Sequence, residues 1–329
     1  MREQLTGFLE RHQSFILCTH DPADADGIGA ELMFACILKS LGKECRIINA
    51  SPVPENFVFM DSEHIIESWD ENTHRLLPEK SALLILDTSD EYYIGTMRNI
   101  LDSVREVFVL DHHEPPPHSS LKGIIDSSAA SVSELAVEAA ITAGITPDAQ
   151  SAAAAYAGIV YDTGYFAYSK TTRRTFAAAL YLVEQGVIPY QIFKELHESA
   201  STAALLLQKQ IFSTLEIYAK GRIATQILRR EFLEKTGARV EDAESLINIP
   251  LKSKDIFVSI LVKENDEGKV RISLRSKGTV NVSKIAQAFG GGGHVSAAGF
   301  RCSQDIEYVT RIILKQIIEK IEYQLADYE

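Results

Sequence analysis

The chain has 329 residues, with 33 Lys and Arg against 45 Asp and Glu, so its formal net charge is −12 at pH 7. That balance argues against a binder of long nucleic acid or anionic membrane acting through bulk charge; 46% hydrophobic and 24% charged residues also exclude disorder, collagen and coiled coil. The length suits about two domains, and the acid is concentrated in one of them: residues 1–190 carry 13 basic and 27 acidic side chains (−14), residues 191–329 carry 20 and 18 (+2).

In chain order, the start is bracketed by Glu3 and Glu10 and lacks the apolar core of a secretory signal. Four short apolar runs follow: Phe15 to Thr19, Cys45 to Asn49, Ala82 to Leu86 and Val107 to Leu110. Continuous apolarity at strand length predicts strands buried on both faces, hence an α/β domain with a mainly parallel sheet flanked by helices. Helices are expected at Gly29 to Leu41, ended by Gly42, and at Ser133 to Ala143, Ala149 to Tyr161 and Thr172 to Gln185. The segment Ile192 to Leu215 is helical in pattern without an evident core, which fits a connector. Beyond it a smaller α+β domain is expected. Its strands are Gly221 to Leu228, Asp255 to Lys263, Lys269 to Arg275 and Ala298 to Cys302; its helices are Val282 to Phe289 and Asp305 to Gln324. The turn at 264–268 would join two of the strands.

The apolar stretches Ser81 to Leu86 and Ala152 to Val160 fall short of the roughly 18 to 20 residues a membrane span needs. Cys18, Cys36, Cys45 and Cys302 show no Cys-x-x-Cys spacing and read as buried free thiols. A cytoplasmic protein with no membrane partner is therefore expected.

The chemistry follows the apolar runs. The first leads into His20-Asp21-Pro22-Ala23-Asp24-Ala25-Asp26-Gly27, the third into Asp87 and the fourth into Asp111-His112-His113, while Asp162 follows the apolar stretch Ala157 to Tyr161. Ligands bind at the carboxyl ends of strands in open parallel sheets, so these groups should converge. Any single Asp after a buried strand is more often a helix cap or turn residue; the joint occurrence in this order favours a site. Convergent carboxylates repel, and divalent cations compensate them most simply. His20, Asp24, Asp26, Asp87, His112 and Asp162 supply oxygen and nitrogen ligands and no thiolate. Such a set suits two divalent ions, with Mn²⁺ ahead of Mg²⁺ or Zn²⁺. Two-metal sites hold their ions about 3.5–4 Å apart, activate water and steady the charge of phosphoryl displacement, which implies hydrolysis of a phosphate ester or anhydride.

A second cluster is Gly290-Gly291-Gly292-Gly293-His294, whose glycines can expose backbone N–H groups to an anion or simply form a flexible loop. Upstream, Arg275-Ser276-Lys277 ends an expected strand with groups fit for phosphate, or forms a solvated hairpin end.

Together these motifs resemble the DHH/DHHA1 phosphoesterases, and within them the nanoRNase/pAp-phosphatase (NrnA-like) branch, over nearly the whole chain. The resemblance implies a DHH metal-binding catalytic domain at 1–188, a helical connector at 189–218 and a DHHA1 substrate-binding domain at 219–329 that closes over the cleft. It implies that His20 and Asp24 hold one metal, Asp26, His112 and Asp162 the other, and that Asp87 bridges them. His113 would act on the scissile phosphate, and Asp111, grouped with it as catalytic, would support the shell of ligand imidazoles rather than bind metal directly. Arg275, Ser276, Gly291, Gly292, Gly293 and His294 would bind substrate. Tyr165 and Phe166, shortly after Asp162, could offer a stacking face for a base or belong to the core.

The implied activity is Mn²⁺-dependent hydrolysis of short oligoribonucleotides to mononucleotides, with removal of the 3′-phosphate from pAp as a companion. Alternatives are a phosphodiesterase for cyclic or linear dinucleotides such as c-di-AMP or pApA, an inorganic pyrophosphatase-like enzyme, and a non-catalytic nucleotide sensor. Partners would be short RNA or small nucleotides, and a homodimer is a family-level expectation.

Overall fold

The apolar runs of the N-terminal half assemble into a six-stranded sheet. Its strands are β1 (Ser14–Cys18), β2 (Glu44–Asn49), β3 (Ile66–Ser68), β4 (Ala82–Leu86), β5 (Val107–Asp111) and β6 (Gly123–Ile125), in the order β3-β2-β1-β4-β5-β6. Every neighbouring pair is parallel. The structure, a computed structural model, describes residues 2–74, 77–115, 121–264 and 269–326; the chain divides into two compact units, Met1–Ser199 and Ala200–Glu329. Strands β1, β2, β4 and β5 coincide with the expected runs to within a residue. The three-residue edge strands β3 and β6 are too short to register as apolar runs.

Alternation along β1 shows why the runs are continuous. Phe15 and Leu17 join the core under the long helices, while Ile16 and Cys18 join a second core with Leu83, Ile85, Ile94, Met97 and Val109 on the other face. Each fully buried Leu or Ile side chain here contributes about 1.5–3 kcal/mol of burial.

The helices of this unit are α1 (Arg2–Arg11), α2 (Ala25–Ser40), the one-turn α3 (Glu71–His74), α4 (Val132–Ala143), α5 (Ala149–Asp162), α6 (Arg173–Glu184) and α7 (Pro189–His197). Helix α2 begins four residues before the expected Gly29. Glycine lowers helix propensity, but packing overrides it here: a Cβ on Gly27 would stand 2.1 Å from Thr19 Oγ1, and one on Gly29 2.6 Å from the Ala154 carbonyl. Close approach to β1 and α5 requires these glycines, and α2 is buried along nearly its whole length. Gly42, at φ +69°, follows the helix end as expected.

In the second unit, β7 (Glu216–Tyr218), β8 (Ile223–Leu228), β9 (Val258–Glu264), β10 (Val270–Ser276), β11 (Gly292–Gly293) and β12 (Ala297–Cys302) form a mixed sheet in the order β11-β12-β10-β9-β8-β7. Only β8 and β9 pair in parallel. One face packs on α10 (Val282–Gln287) and the C-terminal helical segments through residues such as Ile272, Ile285 and Ile317. The other carries a smaller core of Leu207, Ile211, Leu228, Leu246 and Leu261, against which Phe232 and Leu233 of α9 (Arg230–Thr236) pack. The stretch expected as a connector, 189–218, holds α7 in the first unit and α8 (Thr202–Phe212) in the second, where Leu207 and Ile211 are fully buried. The turn expected at 264–268 lies, beyond Glu264, outside the described residues. All four cysteines are free, and among the described residues no helix is long and apolar enough to cross a membrane.

Candidate functional site

The order of the parallel sheet reverses between β1 and β4, and open sheets of this kind bind ligands at the carboxyl ends of such strands. Thr19 fastens this point. Its N–H donates to Asn49 Oδ1 at 2.9 Å and its hydroxyl to the Leu86 carbonyl at 3.0 Å, tying together the ends of β1, β2 and β4. Behind it Asn49 Nδ2 donates to the buried Glu31 at 3.1 Å, and burial raises the Glu31 carboxyl to about 8. His20 and Asp87 extend from the two tied strands. Asp87 takes φ +66°, a left-handed conformation that costs a non-glycine residue free energy and concentrates at functional sites.

Asp24 caps α2 by accepting the N–H groups of Asp26 and Gly27, so both readings of a strand-end Asp hold for it: cap and site member. Asp26, in the first turn, is fully buried and accepts the N–H groups of Val132 and Ser133 at 2.7 and 2.9 Å, at the start of α4. Asp162 ends α5, which Gly158 brings against α4 and α2; a Cβ there would stand 2.2 Å from Ser133 Oγ.

The result is two sets of ligand-type atoms sharing Asp87. His20 Nε2 lies 3.6 Å from Asp24 Oδ1 and 3.5 Å from Asp87 Oδ2. His112 Nε2 lies 3.2 Å from Asp87 Oδ1, 3.2 Å from Asp162 Oδ2 and 3.6 Å from Asp26 Oδ2. His20, Asp24 and Asp87 form one group that could hold a metal ion, and Asp26, His112 and Asp162 another.

Electrostatics make the same demand. Burial pushes the His20 and His112 imidazoles toward neutrality, yet the carboxylates overcome it and raise both to about 11: Asp24 and Asp87 for His20, Asp162, Asp87 and Asp26 for His112. Burial, then the charges of Asp87 and Asp162, holds Asp26 well above the usual carboxylate range. Protons thus gather where cationic charge is required. Asp87 Oδ1 and His112 Nε2 are buried without a well-formed hydrogen bond, an arrangement costly for polar atoms unless a cation engages them. These residues fit divalent metal.

Asp111 stands apart from this set. Fully buried, it accepts from the backbone N–H groups of His112 and His113 at 2.7 and 3.0 Å and faces His113 Nδ1 at 2.9 Å. A carboxylate only accepts, so the His113 Nδ1 carries the proton and Nε2 is directed away from Asp111. The His113 side chain is 55% exposed. Nδ1 also comes within 3.6 Å of Asp87 Oδ1, so His113 could join a metal group with Asp87 and His112, but the shorter contact to Asp111 commits that nitrogen. Asp111 is buried too deeply to touch a substrate.

Tyr165 and Phe166 face inward. Tyr165 packs on Phe193 and His197, and Phe166 stacks on Phe176, so neither ring is available as a free platform.

The second unit holds a cleft of about 370 Å³ on the sheet face away from α10. Arg275, Gly292 and Gly293 line it; Ser276, Gly291 and His294 do not. Strand alternation explains Ser276: it faces opposite to Arg275 and is buried, its Oγ accepting the N–H groups of Gly278 and Val280. Gly291 and Gly293 are required by close backbone approach, since a Cβ would meet Gly299 O at 2.3 Å and Ala297 O at 2.5 Å respectively. The glycine run is thus half of a hairpin with β12, closed by mutual hydrogen bonds between His294 and Ala297, rather than an open loop. His294 stands exposed at its turn.

Family models match both halves of the chain: the N-terminal domain of the DHH family over residues 14–161, and the DHHA1 domain over residues 221–325. The chain belongs to the DHH/DHHA1 phosphoesterase family. It is 28% identical to the bifunctional oligoribonuclease and PAP phosphatase NrnA of Thermus thermophilus, over 93% of this chain and 89% of that protein. With the protein of the same name from Bacillus subtilis it shares 27% identity, over 91% of this chain and 92% of the relative. Among solved structures, an exopolyphosphatase-related protein from Bacteroides fragilis superimposes with a TM-score of 0.89 at 26% identity, covering 99% of this chain and 97% of that one.

In this DHHA1 domain the sequence reading missed Lys263, Arg271, Ser273 and Arg301, which line the cleft with Arg275. Arg271 lies opposite Lys263 on β9 and Arg301 on β12, a row of three cations across three strands. Lys263 is nearly buried and ion-paired with Glu244. Burial, with Arg271 adding to it, lowers the Arg275 guanidinium despite the attraction of Glu244. The available signal was the period-2 series Arg271, Ser273, Arg275, which places three polar residues on one face of β10.

Proposed function

We propose that this protein is a two-metal phosphodiesterase, most active with Mn²⁺, that cuts short oligoribonucleotides to mononucleotides and removes the 3′-phosphate of pAp. Asp87 carries the reading, because its two carboxylate oxygens face the two ligand groups separately. His20, Asp24 and Asp87 would hold one ion; Asp26, His112, Asp162 and Asp87 the other. Divalent ions bound there supply positive charge for the phosphate and lower the pKa of a coordinated water.

The chain's own groups divide the remaining work. Asp26 stays fixed by the α4 N–H groups, and Thr19 keeps the ends of β1 and β4 in register, so the ligand atoms are oriented before substrate arrives. His113, held through Nδ1 by Asp111, presents Nε2 toward solvent. In its protonated form that nitrogen donates to a phosphate oxygen or to the leaving oxygen. Arg275, Arg271, Lys263 and Arg301 give the second unit a cationic cleft suited to a nucleotide phosphate. The names of the Thermus and Bacillus relatives support oligoribonuclease and PAP phosphatase activity together. The chain's acidity fits substrates a few nucleotides long rather than long nucleic acid.

A substrate panel with and without Mn²⁺ tests this: pApA, a five-nucleotide RNA, pAp, c-di-AMP and pyrophosphate. Metal-dependent hydrolysis of the linear substrates and pAp is expected. Preference for c-di-AMP, or turnover of pyrophosphate alone, overturns the assignment.

A further inference from the structure

The loop between Asp162 and α6 is tied to the metal-type cluster at both ends. It leaves Asp162 through Thr163, whose carbonyl accepts the N–H groups of Ala167 and Tyr168, each at 2.9 Å. It returns at Lys170, whose ammonium donates to the His112 carbonyl at 3.2 Å. Between these anchors Gly164, Tyr165 and Phe166 take φ of +53°, +59° and +65°, three successive left-handed residues of which two are aromatic. Backbone of this kind persists only where surrounding contacts impose it. Here the imposing contacts are the inward stacks of Tyr165 on His197 and Phe166 on Phe176.

The left-handed run doubles the chain back so that the Tyr168 ring lies over Gly164. A Cβ at 164 would stand 2.5–2.7 Å from three atoms at the phenol end of that ring. Tyr168 is nevertheless 63% exposed. The strained segment thus presents an open aromatic ring and an ammonium, two residues apart, beside Asp162 and His112.

We propose that Tyr168 and Lys170 form a nucleoside platform on the first unit, the ring stacking on a base of the substrate and the ammonium contacting a phosphate. The inference rests on the phosphodiesterase reading and adds a substrate contact in the acidic half of the chain. An aromatic face accepts any base, so the platform would recognise nucleotides without selecting sequence. Lys170 is a point charge suited to phosphate and needs no bidentate partner.

The test uses the full-length protein with Mn²⁺, pApA and an abasic analogue of the same dinucleotide, alongside calorimetric binding of pApA in chelator. Tyr168→Ala is expected to raise KM for pApA about tenfold, with kcat within about twofold, and to weaken binding in parallel. Tyr168→Phe should match wild type, and hydrolysis of the abasic analogue should be insensitive to either change. Lys170→Met should raise KM for both substrates. Unchanged KM and binding in Tyr168→Ala, or an equal loss with the abasic analogue, overturns the platform. If wild type binds pApA without cleaving it, the phosphodiesterase reading fails while the binding comparison still decides the platform; a wild type that neither binds nor cleaves pApA removes both.

Discussion

In the first unit the charged groups stand at the ends of buried parallel strands and of the helices α2 and α5, most of them distant in sequence, and 3.2–3.6 Å apart in space. In the second they stand on one face of adjacent strands, two residues apart along β10, around an open cleft. Carboxylates crowded at a strand end cannot all be satisfied by water or by one another; the result is raised pKa values at Asp26 and Asp162 and orphaned atoms that cations answer. The cleft reverses the signs, with four cationic side chains against Glu244, and leaves most of them wet. Substitutions in the first region should therefore act on kcat and those in the second on KM.

The sharpest break would come at Asp87, where a near-isosteric Asp87→Asn withdraws charge from both ligand groups at once. We expect kcat for pApA to fall roughly a thousandfold or more, as when one member of a set acting as a unit is removed. Far-UV circular dichroism should be unchanged. Hydrolysis near the wild-type rate would dissolve the distinction between the two regions.

His113→Gln comes next. Because Asp111 commits its Nδ1, the residue is expected to work through Nε2 on the substrate, and its loss should lower kcat about 10²–10³-fold. Metal content measured by atomic emission should not change. A variant that loses metal along with activity would move His113 into the ligand set.

Metal loading should also be strongly pH-dependent. His20 and His112, raised to about 11 in the metal-free protein, hold protons that must leave before the imidazoles can bind an ion. Metal affinity therefore rises with pH through the neutral range, by about tenfold per pH unit for each proton displaced. Calorimetry in two buffers of different ionisation enthalpy counts those protons. A count near zero would mean that the histidines do not bind the ions.

How much of this was legible in the sequence follows from the same contrast. Strand-end residues such as His20, Asp87 and His112 announce themselves because each follows a continuous apolar run, and the sheet does the converging. Helix α2 was misread at its start, since Gly27 and Gly29 look like loop until their closeness to Thr19 and Ala154 is visible. The cation row Lys263, Arg271 and Arg301 depends on strand register, which no local pattern encodes. Ser276 was grouped with Arg275 by adjacency, although adjacent strand residues face opposite ways.

On the cleft side, Arg275→Ala should raise KM for pApA about 10- to 100-fold, the range of a lost charged hydrogen bond, with kcat changed by less than about threefold. Steady-state kinetics separates the two constants. A fall in kcat alone would place Arg275 with the chemistry instead.

The finest test compares two serines on one strand. Ser276 Oγ accepts the N–H of Gly278 at 3.0 Å and that of Val280 at 3.4 Å on the core face, so Ser276→Ala should destabilise the second unit by about 0.5–1.5 kcal/mol and leave KM alone. Ser273, on the cleft face between Leu261 and Gly299, should behave in the opposite way: Ser273→Ala would raise KM a few-fold with little change in the urea midpoint. If Ser276→Ala weakened substrate binding while Ser273→Ala did not, the phosphate-binding face of β10 would be the one turned toward α10, and the cationic cleft would lose its role.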